Sequence, residues 1–330
     1  MNDRQLSLLE QYDCEVTDTK KGRGAILLNT DRGLLIFKEY RGSENKLLLQ
    51  NRLLGQIEEC GFVRTEKIIP TKEDTLFVTD ADQTKYILKT YCEGRECNVY
   101  DQKECLEVAG MLASLHGEMV LTVEPQEIFE NYSQAKEYEK RNRELKKVRR
   151  FLQLKSQKSE FEISLLSCYD MFLEQAYYVQ EGYEEYRPYM EKEICDVNGR
   201  LQAYCHGDFQ YHNLLRDDKG WFIMNFEKCM ADNAMRDLHL FLRKLLEKSG
   251  WNVNLGTQVI EAYEKKQPIS ALSRIDLYYR LAYPEKFWKI VNFYFNSGKS
   301  WIPDKNKEKL TKLVKQEQEK QAFLQEAFRI

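Results

Sequence analysis

The stretch Cys205-His-Gly-Asp-Phe-Gln-Tyr-His-Asn-Leu-Leu215 places a His-Gly-Asp turn five residues ahead of an Asn that itself precedes an apolar pair. A second apolar run, Trp221-Phe-Ile-Met224, follows and ends in Asn225-Phe-Glu227; Arg236-Asp237-Leu238 then opens a helix. Phosphoryl transfer calls for side chains of these types in this order. A loop Asp sets a carboxylate beside the incoming hydroxyl. Mg²⁺ takes hard oxygen donors and keeps several waters, so an Asn at the end of the same loop can supply one ligand. An acidic residue at the end of the next strand normally supplies another. Isolated His-Gly-Asp triplets are common by chance, but the triplet, the spaced Asn, a strand and a turn together are far more specific.

The elements that must hold this loop change character along the chain. Ala25–Asn29 and Gly33–Tyr40 are short apolar runs joined by Thr30-Asp-Arg-Gly33, a hairpin pattern. Lys20-Lys-Gly-Arg-Gly24 links them to an earlier strand around Glu15–Thr17. Residues Lys46–Cys60 carry Leu47, Leu48, Leu53, Leu54 and Ile57 at helical spacing, with Gly61 as the stop. Leu76–Thr79 and Tyr86–Thr90 read as a second hairpin around Asp80-Ala-Asp-Gln83. From Asp101-Gln-Lys-Glu104, which resembles a capping box, the chain turns mainly helical. Helical patterns cover Glu137–Leu154, Phe161–Gln180, Met235–Lys248 and Lys307 to the end. The expected fold class is α+β: a small antiparallel-sheet lobe over residues 1–93 and a larger, mainly helical lobe over 94–330, with a helical insertion near 125–200.

Bulk properties narrow the class of protein. A chain of 330 residues with 42% apolar residues, 16 Phe and 20 Tyr can fill one large core or two modest ones. The net charge of −3 gives no global reason to expect nucleic acid or a membrane surface as partner. Nine cysteines, an odd number with no Cys-x-x-Cys pair, argue against a disulfide framework or structural zinc. The start of the chain lacks the apolar core of a signal peptide, and no run nears the roughly 20 apolar residues of a membrane span. Buried, reduced thiols in a cytosolic protein are the expectation. His212 and His239 lack partners at metal spacing, so packing or local hydrogen bonding is the reading for both.

The sequence resembles the aminoglycoside phosphotransferase and choline kinase superfamily, whose fold is that of protein kinases, and more narrowly the CotS-type spore coat proteins. The residues behind this resemblance are Lys21-Gly-Arg-Gly-Ala25, Glu93-Gly-Arg-Glu-Cys97, His206 to Asn213, Asn225-Phe-Glu-Lys-Cys229, Arg243 to Lys248 and Tyr283-Pro-Glu-Lys-Phe-Trp288. They span nearly the whole chain. The resemblance implies that Asp208 occupies the catalytic-base position, Asn213 that of the loop metal ligand, and His206 a structural place in the loop 205–213. Asp237 is either a buried anchor for the loop backbone or a simple charge at a helix start. Lys38, at the end of Leu34-Leu-Ile-Phe37, falls where such folds hold the nucleotide phosphates. Gly22 and Gly24 lie in the region of the covering loop, although a full Gly-x-Gly-x-x-Gly is missing. Thr90, Tyr91 and Cys92, within Thr90–Gly94, match the hinge that would face adenine. ATP and Mg²⁺ are the implied cofactors, and other spore coat proteins the implied partners. The implied location is the mother-cell cytoplasm and then the coat.

Two departures alter what the resemblance predicts. Asn225 stands where active relatives carry the principal metal-binding Asp, in the segment 222–229, which removes one negative charge from a site for a dication. Glu227 two residues on would share its face if the segment were a strand, and could substitute as a ligand. In the helix Lys46–Cys60, the central Leu48-Leu-Gln-Asn-Arg52 offers no carboxylate to pair with Lys38. The leading expectation is therefore a coat-associated kinase-like protein with weak or absent phosphoryl transfer that still binds nucleotide. The alternative is an active ATP-dependent kinase of a small molecule or protein, with Asp208 as base and Glu227 in an adapted metal set. A third reading takes Arg141–Arg150, six of whose ten residues are basic, as a surface for an anionic partner.

Overall fold

The computed structural model describes residues 7–22, 24–122, 133–190, 201–296 and 304–329. The first lobe is an antiparallel sheet backed by one helix. Strands β1 (Val16–Lys21), β2 (Ala25–Thr30) and β3 (Gly33–Tyr40) pair in sequence. The two-residue turn between β2 and β3 closes at Gly33, whose φ of 95° suits glycine. Helix α1 (Glu44–Cys60) starts on the Ser43 hydroxyl, which accepts from Lys46 N, and stops at Gly61 in the left-handed region. Then come β4 (Arg64–Thr65), β5 (Ile68–Ile69), β6 (Val78–Thr79) and β7 (Lys85–Thr90). The sheet order is β1-β2-β3-β7-β5, with β6 on β7. The hairpin partner expected at Leu76–Thr79 is thus only the two-residue β6, and β1 is longer than the strand expected at Glu15–Thr17.

Register decides which side chains enter the cleft. Lys38 pairs with Ile87 and Ile36 with Lys89, so even positions of β3 and odd positions of β7 share one face. The opposite face, with Leu35, Phe37 and Leu88, packs on Leu8, Leu9 and Tyr12 in a core of its own. Lys38 is mid-strand, since β3 runs on to Tyr40.

Strand β8 (Arg95–Glu96) and helix α2 (Gln102–Glu118) open the second lobe. The Asp101 side chain caps α2 by accepting from Lys103 N and Glu104 N. Glu104 does not complete a capping box; it pairs with Arg95 and accepts from Asn98 N instead. After β9 (Val120–Thr122), helices α3 (Gln134–Leu154) and α4 (Glu160–Met190) pack together, and α3 buries Leu145, Val148 and Leu152. The site segment supplies β10 (Leu201–Cys205), β11 (Leu214–Asp217), β12 (Gly220–Ile223) and β13 (Met230–Ala231). Helices α5 (Met235–Ser249), α6 (Val253–Glu264), α7 (Ala271–Ala282), α8 (Glu285–Asn296), α9 (Asp304–Lys315) and α10 (Glu317–Phe328) complete the lobe. The terminal helix expected from Lys307 onward is two helices, interrupted at Gln316.

One sheet, β4-β12-β11-β8, crosses from lobe to lobe, because β4 pairs in parallel with β12 through Phe222–Arg64 and Ile223–Thr65. Arg64 reinforces this junction with its two terminal guanidinium nitrogens on Asp217 and a bond to Gly220 O at 3.0 Å. Among the described residues no helix is long and apolar enough to cross a membrane. The eight described cysteines are free thiols; Cys195 lies outside the described residues.

Candidate active-site cleft

The loop after β10 is held from below by Asp237 in the first turn of α5. This carboxylate is fully buried and accepts from His206 N at 2.5 Å and Gly207 N at 2.8 Å. His116 Nε2 lies 3.2 Å from the same carboxylate, and His116 Nδ1 2.8 Å from the Tyr263 hydroxyl. Burial works to raise the pKa of Asp237, but His116 and the His206 amide outweigh it and hold the group below the usual carboxylate range. Gly207 has φ of 78°, and a Cβ there would stand 2.1 Å from Lys228 O. His206 bridges the loop to the next strand: Nε2 lies 3.0 Å from Met224 O, and Nδ1 accepts from Asp208 N at 3.1 Å. Those partners specify the neutral ring with its proton on Nε2.

From this frame a chain of polar contacts runs across the cleft floor. Asn213 Nδ2 donates to Asp208 O at 2.8 Å, and Asn225 Nδ2 donates to Asn213 Oδ1 at 2.9 Å. Asp208, Asn213 and Asn225 therefore converge on one place. The Asp208 carboxylate receives Gln210 on one oxygen and Lys228 Nζ at 3.0 Å on the other.

Asn225 and Glu227 are not on a strand, so the shared-face expectation fails. Asn225 takes φ 68° and ψ 54°, a left-handed conformation that Asn tolerates better than most residues, and leads a short 3₁₀ turn over Phe226–Lys228. Glu66, between β4 and β5, sets that conformation. Its buried carboxylate accepts from Asn225 N at 2.8 Å and Phe226 N at 2.9 Å.

The same carboxylate meets Lys89 Nζ at 2.7 Å, and Lys89 also reaches Glu227 at 2.6 Å. Lys38 Nζ completes the cluster at 3.0 Å from Glu227. The partner for Lys38 that α1 lacks is thus supplied by the second lobe. Burial works against charge on both Glu227 and Lys89. For Glu227, Lys89 and Lys38 overcome it and hold the carboxyl at about 2; for Lys89, the two glutamates hold the ammonium above its usual range. In the middle of α1, Gln50 is 1% exposed, with neither side-chain polar atom hydrogen-bonded among the described residues.

Glu66, Lys89 and Lys228 were not identified from the sequence. The available signal was the alternation of β7, which places Lys89 beside Ile87 on the cleft face.

This donor set does not fit a divalent metal. Glu227 is neutralised by two lysines, Asp208 is engaged by Lys228 and Gln210, and Asn213 Oδ1 already accepts from an amide. Among the described residues no group of three His, Cys, Asp or Glu side chains is placed to hold an ion. The residues expected on the nucleotide side are built differently. Gly22 N donates to Ala25 O at 2.8 Å, closing the β1–β2 turn, and Gly22, Gly24 and Lys38 line a cavity of about 500 Å³ together with Ile26, Phe37 and Tyr86, which pack with the opposite face of the sheet. At the hinge, Thr90 N donates to Lys67 O and Tyr91 N to Leu34 O, each at 2.9 Å. Cys92 is buried, with its thiol 3.3 Å from Asp217 and pushed up to about 11 by burial and that carboxylate.

The other singled-out groups have local partners. His212 Nδ1 lies 2.8 Å from Glu96, and His239 is buried beside Glu285. In the basic stretch of α3, Arg141 pairs with Glu137, Arg143 with Glu139 and Arg149 with Asp170; Arg143, Lys146, Lys147 and Arg150 are its exposed cations.

A family model described as "Spore coat putative kinase YutH" matches residues 5–327. The chain belongs to this spore coat family. It is also 24% identical to spore coat protein S of Bacillus subtilis (strain 168) over 321 residues, 92% of this chain and 87% of that one. Among solved structures, an aminoglycoside phosphotransferase from Alicyclobacillus acidocaldarius superposes with a TM-score of 0.83 at 18% identity, over 98% of this chain and 95% of the other. Spectinomycin phosphotransferase, solved with ADP and spectinomycin, superposes at 0.62 and 13% identity, over 95% and 92%. The spore coat family member thus has the two-lobed α+β fold of aminoglycoside phosphotransferases.

Proposed function

We propose that this coat-family chain keeps the kinase cleft as a nucleotide-binding or structural element and transfers the γ-phosphate weakly or not at all. One observation carries the reading. Asn225 replaces the expected metal carboxylate, and Glu227, two residues on, is sequestered between Lys38 and Lys89. Phosphoryl transfer depends on positioning and on neutralising charge at the phosphates. Here the positive side chains neutralise protein carboxylates instead. The chain's own residues can still receive a nucleotide: the hinge backbone at Thr90–Cys92 would face the base, and Lys38 could turn from Glu227 to a phosphate oxygen. Assembly with other spore coat proteins, after synthesis in the mother cell, belongs to this same reading.

The test is a titration of ADP and ATP with and without Mg²⁺, on the native chain and on Asn225→Asp. The native chain should bind nucleotide with little dependence on Mg²⁺, and the variant should gain such dependence. Turnover of ATP by the native chain at ordinary kinase rates, about 1–100 per second, would overturn the proposal. The competing reading, an active kinase, draws support from Asp208, whose loop is fully framed by His206, Asn213 and Asp237. It requires that Asp208→Ala abolish whatever transfer is measured.

A further inference from the structure

A second cavity, of about 220 Å³, lies in the helical lobe between the C-terminal half of α5, the Tyr283–Lys286 turn and the α9–α10 junction. Its floor is apolar and aromatic, with Phe172, Trp251, Leu281 and Leu313 among the lining. Its charged lining is one-sided: seven lysine and arginine side chains against two glutamates. Both glutamates are already paired. Glu247 takes Arg243 at 2.6 Å and Lys286 at 3.4 Å, and Glu285 takes Arg243 at 3.4 Å and Lys289. Among the described residues no carboxylate stands within ion-pairing distance of Lys244, Lys248, Lys312 or Lys320.

Two of these cations are held in ways that leave them short of an anion. Lys320 is 4% exposed, and its ammonium makes one hydrogen bond among the described residues, to Ala282 O at 2.8 Å, with the Trp251 ring 5.8 Å away. An ammonium carries three donors, so a buried one with a single partner retains capacity for a ligand. Lys248 Nζ sits 3.9 Å over the ring of Tyr211, which opens the turn following Asp208. Burial pushes both Lys244 and Lys320 below the usual ammonium range, and the Arg243 charge adds to the effect on each. An anion entering the cavity would relieve that repulsion.

We propose that this cavity is a binding site for a small organic polyanion, an apolar or planar body bearing phosphate or carboxylate groups. The apolar floor takes the body, and Lys244, Lys248 and Lys320 take the charged groups. The site is separate from the nucleotide cleft. Its occupancy can be read independently of any phosphoryl transfer.

The experiment is calorimetric titration of the full chain with phenyl phosphate and with citrate, at low and at raised salt. The native chain should bind at least one, more weakly as salt rises, and the tighter of the two identifies the preferred anionic group. Lys244→Gln with Lys248→Gln should weaken that binding on the order of tenfold or more, while Lys38→Met should leave it unchanged. If the paired variant melts before it can be titrated, Lys309→Gln with Lys312→Gln on the exposed side of α9 should give a smaller loss in the same direction. Absence of binding to both probes at about 1 mM, the weak end of specific affinities, would overturn the proposal. So would full affinity in both lysine pairs, or a loss produced by Lys38→Met instead.

Discussion

The two halves of the cleft floor use buried charge in opposite ways. On the loop side, Asp237 directs its charge at backbone N–H groups and at His116, and the result is a fixed loop with Asp208 at its edge. On the strand side, the charges of Lys89, Glu66, Glu227 and Lys38 are directed at one another. The first arrangement orients a group that could act on a ligand. The second satisfies its members internally and ties the lobes together through Glu227. A cleft can thus keep the frame of a phosphotransferase while its charge has been turned inward.

The largest effect is expected at Lys89. Lys89→Met leaves Glu66 and Glu227 without their shared cation, and stability should fall by about 3–5 kcal/mol, read from denaturant unfolding. A loss under about 1 kcal/mol would mean the cluster is solvated and contributes little.

Asp237→Asn tests the loop side. One side-chain oxygen would become an amide facing backbone N–H donors, and the expected loss is about 2–3 kcal/mol. The pH dependence has a definite sign. Because the folded state holds Asp237 below its ordinary value, its contribution is present above the unfolded carboxylate value near pH 4. It is lost as pH falls through the lower folded value. The variant should therefore show a flatter acid limb in its stability profile than the native chain.

Gly207→Ala introduces a Cβ 2.1 Å from Lys228 O at a positive φ, and should cost about 2 kcal/mol or force the loop to move. Nuclear magnetic resonance shifts at Asp208 and Lys228 would report the movement.

The smallest effect on stability, and the sharpest on function, is expected from Glu227→Gln. The change leaves Lys89 its Glu66 partner and releases Lys38. Metal-free ADP should then bind about tenfold more tightly, a gain of the size expected for one freed charge-assisted bond. Unchanged affinity would indicate that Lys38 does not reach the phosphates.

Legibility from sequence followed the range of the interactions. The loop from His206 to Asn213 was readable because its chemistry lies within a few residues, and the helix over Lys46–Cys60, which begins at Glu44 in the structure, because its spacing and Gly61 stop are local. The carboxylate partner of Lys38 was not, because Glu227 arrives from the other lobe. Nor was Glu66, a single acidic residue in a short connection whose role is to receive amides from Asn225 and Phe226. The strand assumed through Asn225 failed for a related reason: its left-handed turn is set by that distant carboxylate. The length of the last helices was misread because the polar run across Gln316 carries no local stop of the Gly or Pro kind.

In the proposed function, commitment of the cleft's charge within the protein is what impairs transfer. Single-turnover release of the ATP γ-phosphate in the presence of Mg²⁺, compared between the native chain and Asn225→Asp with Glu227→Gln, tests it directly. The native chain should release little or none, and the double variant should show measurable, metal-dependent release. Fast release by the native chain, or slower release by the variant than by the native chain, would contradict it.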